Sequence, residues 1–326
     1  MDKKFEAEIK TLIKNEAVLL DLIEEDSTIT ILIEVRSDKK NQIKLWETEI
    51  NKLSQKKVII HQTLTNKEPR KEKKSLAGVD KIILVASGKG GVGKSSISAL
   101  LALFLSKAGF RVGLCDLDLH GPSLPKICGL SGPLVIKDDL FQPQEVKGIK
   151  IISMALLMEG DSALIWRGPM LTKALHQFLL KSNWGQLDYL ILDSPPGTGD
   201  LQLSLAENYN LTGTILVSTP QEVALLATHR SLDMMRKLLV PIVGLVGNQV
   251  YLETEGIKNY LFGEGNLEAY CDREQIKLLG LFPLVPALSE SFDKGSLIDW
   301  LDKAPEAVTI FQKILEEIVN FSTQNS

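Results

Sequence analysis

Eight consecutive residues, Gly88-Lys89-Gly90-Gly91-Val92-Gly93-Lys94-Ser95, constrain this chain more than any other stretch. They follow an apolar run, Ile82 to Ala86, and open a helical pattern from Ser95 to Lys107, so the order is strand, glycine loop, helix. Every fixed position of the P-loop pattern G-x-x-x-x-G-K-[ST] is met. Glycines let successive backbone N–H groups point inward as an anion nest. The helix behind adds the positive end of its dipole. The pattern predicts a nucleotide cradled by Gly88 to Ser95 and by Ser96, with Lys94 on the β- and γ-phosphates and the Ser95 hydroxyl on Mg²⁺.

The remainder of the chain supplies the scaffold for such a loop. From Lys81 onward, apolar runs recur at Ile82–Ala86, Val112–Cys115, Ile149–Ser153, Tyr189–Leu192, Thr214–Val217, Val243–Val246 and Leu278–Leu281, with helical stretches between most of them. They lack two-residue alternation, so both faces of the sheet should be covered. This predicts an α/β fold, a doubly wound and mostly parallel sheet with right-handed crossovers, and ligand loops at the carboxyl ends of the strands.

Residues 1–61 read as a small α/β unit. A helical stripe is expected from Phe5, Ile9, Leu12, Ile13, Leu19 and Leu20, a strand from Thr28 to Val35 with Ile29, Ile31 and Ile33 on one face, a second helix through Ile43, Trp46, Ile50 and Leu53, and a short strand from Val58 to His61. Residues 62–79 include the charged run Lys67 to Lys74 and are expected to form a linker, leaving 80–326 as the P-loop domain.

Two further strand ends carry chemistry. In Leu114-Cys115-Asp116-Leu117-Asp118 the carboxylates sit where a strand stops, suited to orient water or hold a cation; Asp118 is assigned to the attacking water and Asp116 to the Mg²⁺ region. Tyr189 to Leu192 followed by Asp193 is the Walker B arrangement, with Asp193 expected on Mg²⁺ and the loop through Gly197 and Gly199 expected to respond to the γ-phosphate.

Gly-Lys-Gly-Gly-Val-Gly-Lys-Ser resembles the deviant Walker A motif of the MinD/ParA/Mrp ATPases. Together with Asp116 to Ser123, Trp166-Arg167-Gly168-Pro169-Met170, Asp188 through Asp200 and Thr219 to Leu225, the set resembles the Mrp/ApbC family, MinD-like ATPases that act as iron–sulfur cluster carriers. The resemblance runs from about residue 80 to the C-terminus, and more loosely to a small N-terminal domain. It implies a slow ATPase working as a homodimer, in which Lys89 crosses to the partner's nucleotide and Lys94 and Asp118 act in cis. It also implies that Asn248 reads adenine; the stretch Asn248-Gln249-Val250-Tyr251 lacks the aspartate that would pair guanine, which favours ATP. Iron–sulfur client or assembly proteins are the implied partners and a [4Fe–4S] cluster the implied cargo.

The chain departs from that pattern where the cargo should sit. The family carries C-x-x-C after the adenine asparagine; here the segment reads Val250-Tyr251-Leu252-Glu253-Thr254-Glu255-Gly256, and no iron–sulfur ligand is identified in it. Phe282-Pro283-Leu284-Val285-Pro286 likewise has valine where the family has aspartate. The three cysteines, Cys115, Cys128 and Cys271, form no C-x-x-C pair, which suits a reducing cytoplasm. Net charge is −4 and no 18-residue apolar run occurs, so neither a nucleic-acid nor a membrane partner is expected. The stripe Val308, Phe311, Leu315, Ile318 and Val319 reads as a helix docked on the sheet.

Overall fold

The computed structural model describes residues 3–13, 17–24, 27–36, 42–54, 56–65, 73–118, 121–157, 168–197 and 199–324. The chain divides into two compact units, Met1–Lys73 and Lys74–Ser326.

The first unit runs α1 (Lys3–Leu12), β1 (Ala17–Glu24), β2 (Thr28–Arg36), α2 (Ile43–Leu53), β3 (Lys57–Thr65). β2 is the central strand, antiparallel to β1 and parallel to β3. Alternation decides its inner face: Ile29, Ile31, Ile33 and Val35 are buried with Ile9, Ile13, Trp46 and Ile50. The expected helical stripe stops at Leu12. Leu19 and Leu20 belong to β1, because an apolar run of this length fits helix and strand equally and the ladder with β2 takes it.

The expected linker is shorter than 62–79. Gln62 to Thr65 continue β3, opposite Ile33 to Arg36 of β2. At the other end Lys74 pairs with the second unit, its N–H donating to Asn208 O at 2.7 Å and its carbonyl accepting from Asn210 N at 2.9 Å, while Leu76 is buried. At Lys74 backbone pairing outweighs the local charge density, and at Gln62 to Thr65 the ladder with β2 extends the strand.

The second unit begins with β4 (Val79–Ala86), α3 (Lys94–Lys107), β5 (Val112–Asp116), α4 (Leu124–Cys128), and three short strands β6 (Val135–Lys137), β7 (Leu140–Gln142) and β8 (Gln144–Val146). It continues through β9 (Ile149–Ser153), α5 (Gly168–Leu180), β10 (Leu187–Asp193), α6 (Asp200–Asn208), β11 (Gly213–Ser218), α7 (Glu222–Lys237) and β12 (Ile242–Gly247). It ends with a hairpin β13 (Leu252–Thr254) and β14 (Ile257–Asn259), then α8 (Leu267–Glu274), β15 (Leu278–Leu281), α9 (Pro286–Asp293) and α10 (Pro305–Gln324). The main sheet has the order β15-β12-β11-β4-β10-β5-β9-β8, parallel except for β8, which closes one edge antiparallel to β9.

Successive residues of β4 feed opposite cores. Ile83 and Val85 pack under α3, α4, α9 and α10, whereas Ile82, Leu84 and Ala86 pack under α5, α6, α7 and α8. Both faces are therefore covered, as the unbroken apolar runs require. α10 buries Phe311, Ile314, Leu315 and Ile318 against this sheet, as the C-terminal stripe predicted.

The register aligns the reactive ends. β10 lies between β4 and β5, with Asp193 opposite Val85 on one side and Asp116 on the other. The P-loop and both carboxylates therefore leave the same edge side by side, where the chain first winds one way and then the other.

Candidate nucleotide site

The glycine loop turns from β4 into α3 through Gly91 at φ +80° and Gly93 at φ +79°. A Cβ at Gly90 or Gly91 would meet no atom within 4 Å, so the cradle is open above the loop. Two other glycines are there for close approach. A Cβ at Gly93 would lie 2.1 Å from Asn248 Nδ2, and one at Gly88 would lie 2.1 Å from the Ala227 backbone of α7. The loop borders a cleft of about 210 Å³ that Lys89, Gly90, Gly91, Lys94, Ser95 and Ser96 share with Asp118, Gly121, Ser123 and Pro196.

Asp193 is the hub beneath this cleft. It is fully buried and accepts from Lys94 Nζ at 2.7 Å, from Ser95 Oγ at 2.6 Å and from Ser98 Oγ at 2.6 Å. Three donors fix the orientation of one carboxylate. Ser98 escaped the reading of the sequence. It lies one turn beyond Lys94, whose carbonyl it also touches at 3.1 Å, and its only signal is a fully buried hydroxyl in an apolar helix.

Asp116 sits behind the cleft. Its Oδ1 accepts from Asp118 N at 3.1 Å and its Oδ2 from Ser153 Oγ at 2.9 Å. Ser153, at the end of β9, was also not foreseen. Burial and the facing Asp193 charge push the Asp116 carboxyl up to about 7, against the opposing hydrogen bonds and Lys94. Asp118 borders the cleft itself, and its Oδ1 accepts from Gly121 N at 3.2 Å. The two carboxylates thus diverge, one inward to β9 and one to the opening. Leu119, His120, Trp166, Arg167 and Thr198 lie outside the described residues.

Asn248, just past β12, is buried and donates from Nδ2 to Val92 O at 2.8 Å, so it braces the P-loop directly. Lys89 donates to Gln221 Oε1 at 3.4 Å, at the entry to α7. After β10, Ser194 N donates to Val85 O and Gly197 N to Ser87 O at 2.8 Å, tying this loop to the base of the P-loop.

The segment without cysteines is a closed hairpin. β13 and β14 pair across a two-residue turn, with Glu255 at φ +54° and Gly256 at φ +76° as a primed turn requires. The cysteines lie elsewhere, apart and buried: Cys115 in β5, Cys128 at the end of α4, Cys271 in α8. Burial pushes the Cys128 thiol up to about 12 and the Cys271 thiol up to about 11, and raises Cys115 well above the usual thiol range. Among the described residues no group of three or more His, Cys, Asp or Glu side chains could hold a metal ion, and no helix is long and apolar enough to cross a membrane.

Residues 78–319 match the family model of the ParA group described as NUBPL iron-transfer P-loop NTPase. The chain belongs to this family. Among its relatives, the iron–sulfur cluster carrier protein of Aquifex aeolicus is 41% identical over 260 residues, covering 77% of this chain and 71% of that protein. The protein of the same name from Rickettsia conorii is 40% identical over 288 residues, 85% of this chain and 87% of the relative. A nucleotide-binding protein from Archaeoglobus fulgidus, solved in complex with ADP, aligns with a TM-score of 0.60 at 33% identity, over 69% of this chain and 92% of that one. The septum site-determining protein MinD of Pyrococcus horikoshii, with Mg-ADP, shares the fold at a TM-score of 0.54 and 22% identity, over 76% and 99% of the two chains. The NUBPL-type P-loop NTPase fold thus accounts for the second unit, and the glycine loop, Asp116, Asp118, Asp193 and Asn248 all converge on one edge of it.

Proposed function

We propose that this chain is an ATP-hydrolysing, dimeric factor that serves iron–sulfur cluster transfer. The observation that carries the nucleotide part is the convergence of Lys94, Ser95 and Ser98 on Asp193 directly beneath an open glycine cradle. The names of its relatives support the iron–sulfur part.

The cradle suits a polyphosphate. Backbone N–H groups of the loop and the start of α3 bind the phosphates, and Lys94 turns from Asp193 toward the β- and γ-oxygens. Ser95 and Asp193 offer hard oxygen donors and would hold Mg²⁺, with Asp116 behind them on the next strand, and the ion when bound would neutralise charge on the phosphates. Asp118, at the opening, holds the attacking water in line. Lys89 of a second copy reaches the γ-phosphate and stabilises the charge that builds there, as an arginine finger does. The loop from Ser194 to Gly197 is linked to β4 and the P-loop by backbone bonds, so loss of the γ-phosphate alters that loop first. Asn248, held at the P-loop, reads the adenine edge through its remaining amide capacity.

The cargo fits this chain differently. A [4Fe–4S] cluster needs thiolates, and the hairpin has none, while the three buried thiols are neither grouped nor ionised. The hairpin favours a second reading, in which the same ATPase switch acts as an adaptor for an iron–sulfur protein without carrying the cluster itself.

The nucleotide reading is tested with Lys89→Ala: ATP binding persists and turnover is abolished, and turnover at the wild-type rate would reject action across the dimer. The cargo is tested by iron content per dimer and visible absorption after anaerobic reconstitution. Retained iron with a charge-transfer band supports carriage. Iron lost on desalting, with ATP-dependent dimerisation intact, supports the adaptor.

A further inference from the structure

Lys89 is held within its own chain. Its Nζ donates to Gln221 Oε1 at 3.4 Å, and the same oxygen accepts from Thr219 Oγ1 at 3.1 Å. Gln221 is itself fixed, because its backbone carbonyl accepts from Ala224 N at 2.9 Å and Leu225 N at 3.1 Å in the first turn of α7. The base of the P-loop is pressed against the same helix, where a Cβ at Gly88 would collide with the Ala227 backbone. Ser87 Oγ adds a third restraint, donating to the Lys89 carbonyl at 3.0 Å. Helix α7 and its capping residue Gln221 therefore hold the loop at two points, the Ala227 backbone and the Gln221 side chain, and the second hold is on the ammonium group.

We propose that Gln221 is a positioning residue that parks Lys89 in cis, so that assembly of the active dimer requires exchange of the Gln221 carbonyl for the partner's γ-phosphate. The inference rests on the reading that Lys89 acts across the dimer. One ammonium group on one stem cannot serve both acceptors. A neutral amide is a weak, uncharged competitor, and a triphosphate outbids it, whereas a nucleotide lacking the γ-phosphate offers less. Parking thereby makes the lysine's release depend on the same group that is to be cleaved. It also keeps a half-buried charge hydrogen-bonded while the protomer is alone. A glutamate at this position would replace the weak acceptor with a charged one and tighten the hold.

The test uses the full chain and reads turnover against protein concentration with saturating Mg-ATP. Removing the acceptor with Gln221→Ala or Gln221→Met is expected to lower the concentration giving half-maximal turnover by about two- to tenfold, the range of a single hydrogen bond. Gln221→Glu is expected to raise it, and added salt is expected to reverse that rise, a response that a packing defect would not give. In a Lys89→Ala background, ATP-dependent dimerisation measured by sedimentation is expected to be the same with glutamine, alanine or glutamate at 221. Shifts in the same direction for alanine and glutamate, no shift for either, or a Gln221 effect that survives in Lys89→Ala would overturn the proposal. Melting curves identify any variant that is misfolded, and methionine, which keeps the length of the side chain, supplies the second variant. Full turnover by Lys89→Ala would instead remove the premise of action in trans.

Discussion

The Lys94 ammonium lies 2.7 Å from the Asp193 carboxylate, and both groups are buried. The pair joins two motifs 99 residues apart in sequence yet adjacent in the sheet, because β4 and β10 are hydrogen-bonded neighbours. A buried pair of this kind is costly to break from one side, since the remaining charge has neither water nor partner. Asp193→Ala leaves Lys94, Ser95 and Ser98 without their shared acceptor. It should destabilise the P-loop unit by about 3–5 kcal/mol, measured as a lower urea midpoint. Asp193→Asn, which keeps an acceptor oxygen, should lose less stability, while both variants lose Mg-dependent turnover. Equal stability of Asp193→Ala and the wild type would show that the hub is not structural.

The contact between Gly93 and Asn248 predicts an effect in a residue that never touches phosphate by its side chain. A methyl group at Gly93 meets Asn248 Nδ2 at 2.1 Å and must also occupy φ +79°. Gly93→Ala should therefore displace Asn248 from Val92 O and tilt the loop, weakening nucleotide binding at least about tenfold. Gly91→Ala is the contrast: its φ is as strained at +80°, but nothing lies within 4 Å of the added carbon. Titration of a fluorescent ATP analogue separates the two, and a Gly93→Ala loss no larger than that of Gly91→Ala would show that strain alone, and not the Asn248 contact, sets the affinity.

The residues most legible in the sequence were those whose chemistry repeats at short spacing. Gly88 to Ser95 is a contiguous pattern, and Asp116, Asp118 and Asp193 each end an apolar run, so strand ends and ligand edge could be read together. Ser98 and Ser153 were not legible because their value lies in a partner 95 or 37 residues away. A serine in an apolar helix carries no local mark of that. The strands β6, β7 and β8 were missed for a different reason: each has three residues, largely exposed, and so lacks the buried run that signals a strand. The hairpin β13–β14 was visible only as a departure, since Glu255-Gly256 closes a turn where a cysteine segment was sought.

Asp118 predicts a separable defect. It borders the cleft, and the buried hub below is built from Lys94, Ser95, Ser98 and Asp193. Asp118→Ala should fold with little change and bind ATP, yet fail to orient water. The expected outcome is a long-lived ATP-bound dimer, seen as a persistent shift in sedimentation with unhydrolysed nucleotide. Hydrolysis at the wild-type rate would reassign the water to another group.

Far from the nucleotide, Asp188 at the start of β10 gives a prediction for acid stability. Its carboxylate accepts from Arg111 Nη2 at 2.5 Å, Arg111 Nε at 3.1 Å and Arg111 N at 2.7 Å, clamping the entry of β5 to β10. The side-chain hydrogen bonds from Arg111, followed by its backbone N–H, hold the Asp188 carboxyl down at about 2 from an ordinary value of 3.8. Because the folded state binds this proton less readily than the unfolded state, the contribution is complete above about 3.8 and is lost as pH falls toward 2. Asp188→Asn should thus be less stable than the wild type at neutral pH, and the two should converge as the medium is acidified through that window. Arg111 is more than half exposed, so salt should shrink the neutral-pH difference. Urea midpoints at several pH values measure it, and a difference that stays constant down to pH 2 would assign the effect to packing instead of to the ionised pair.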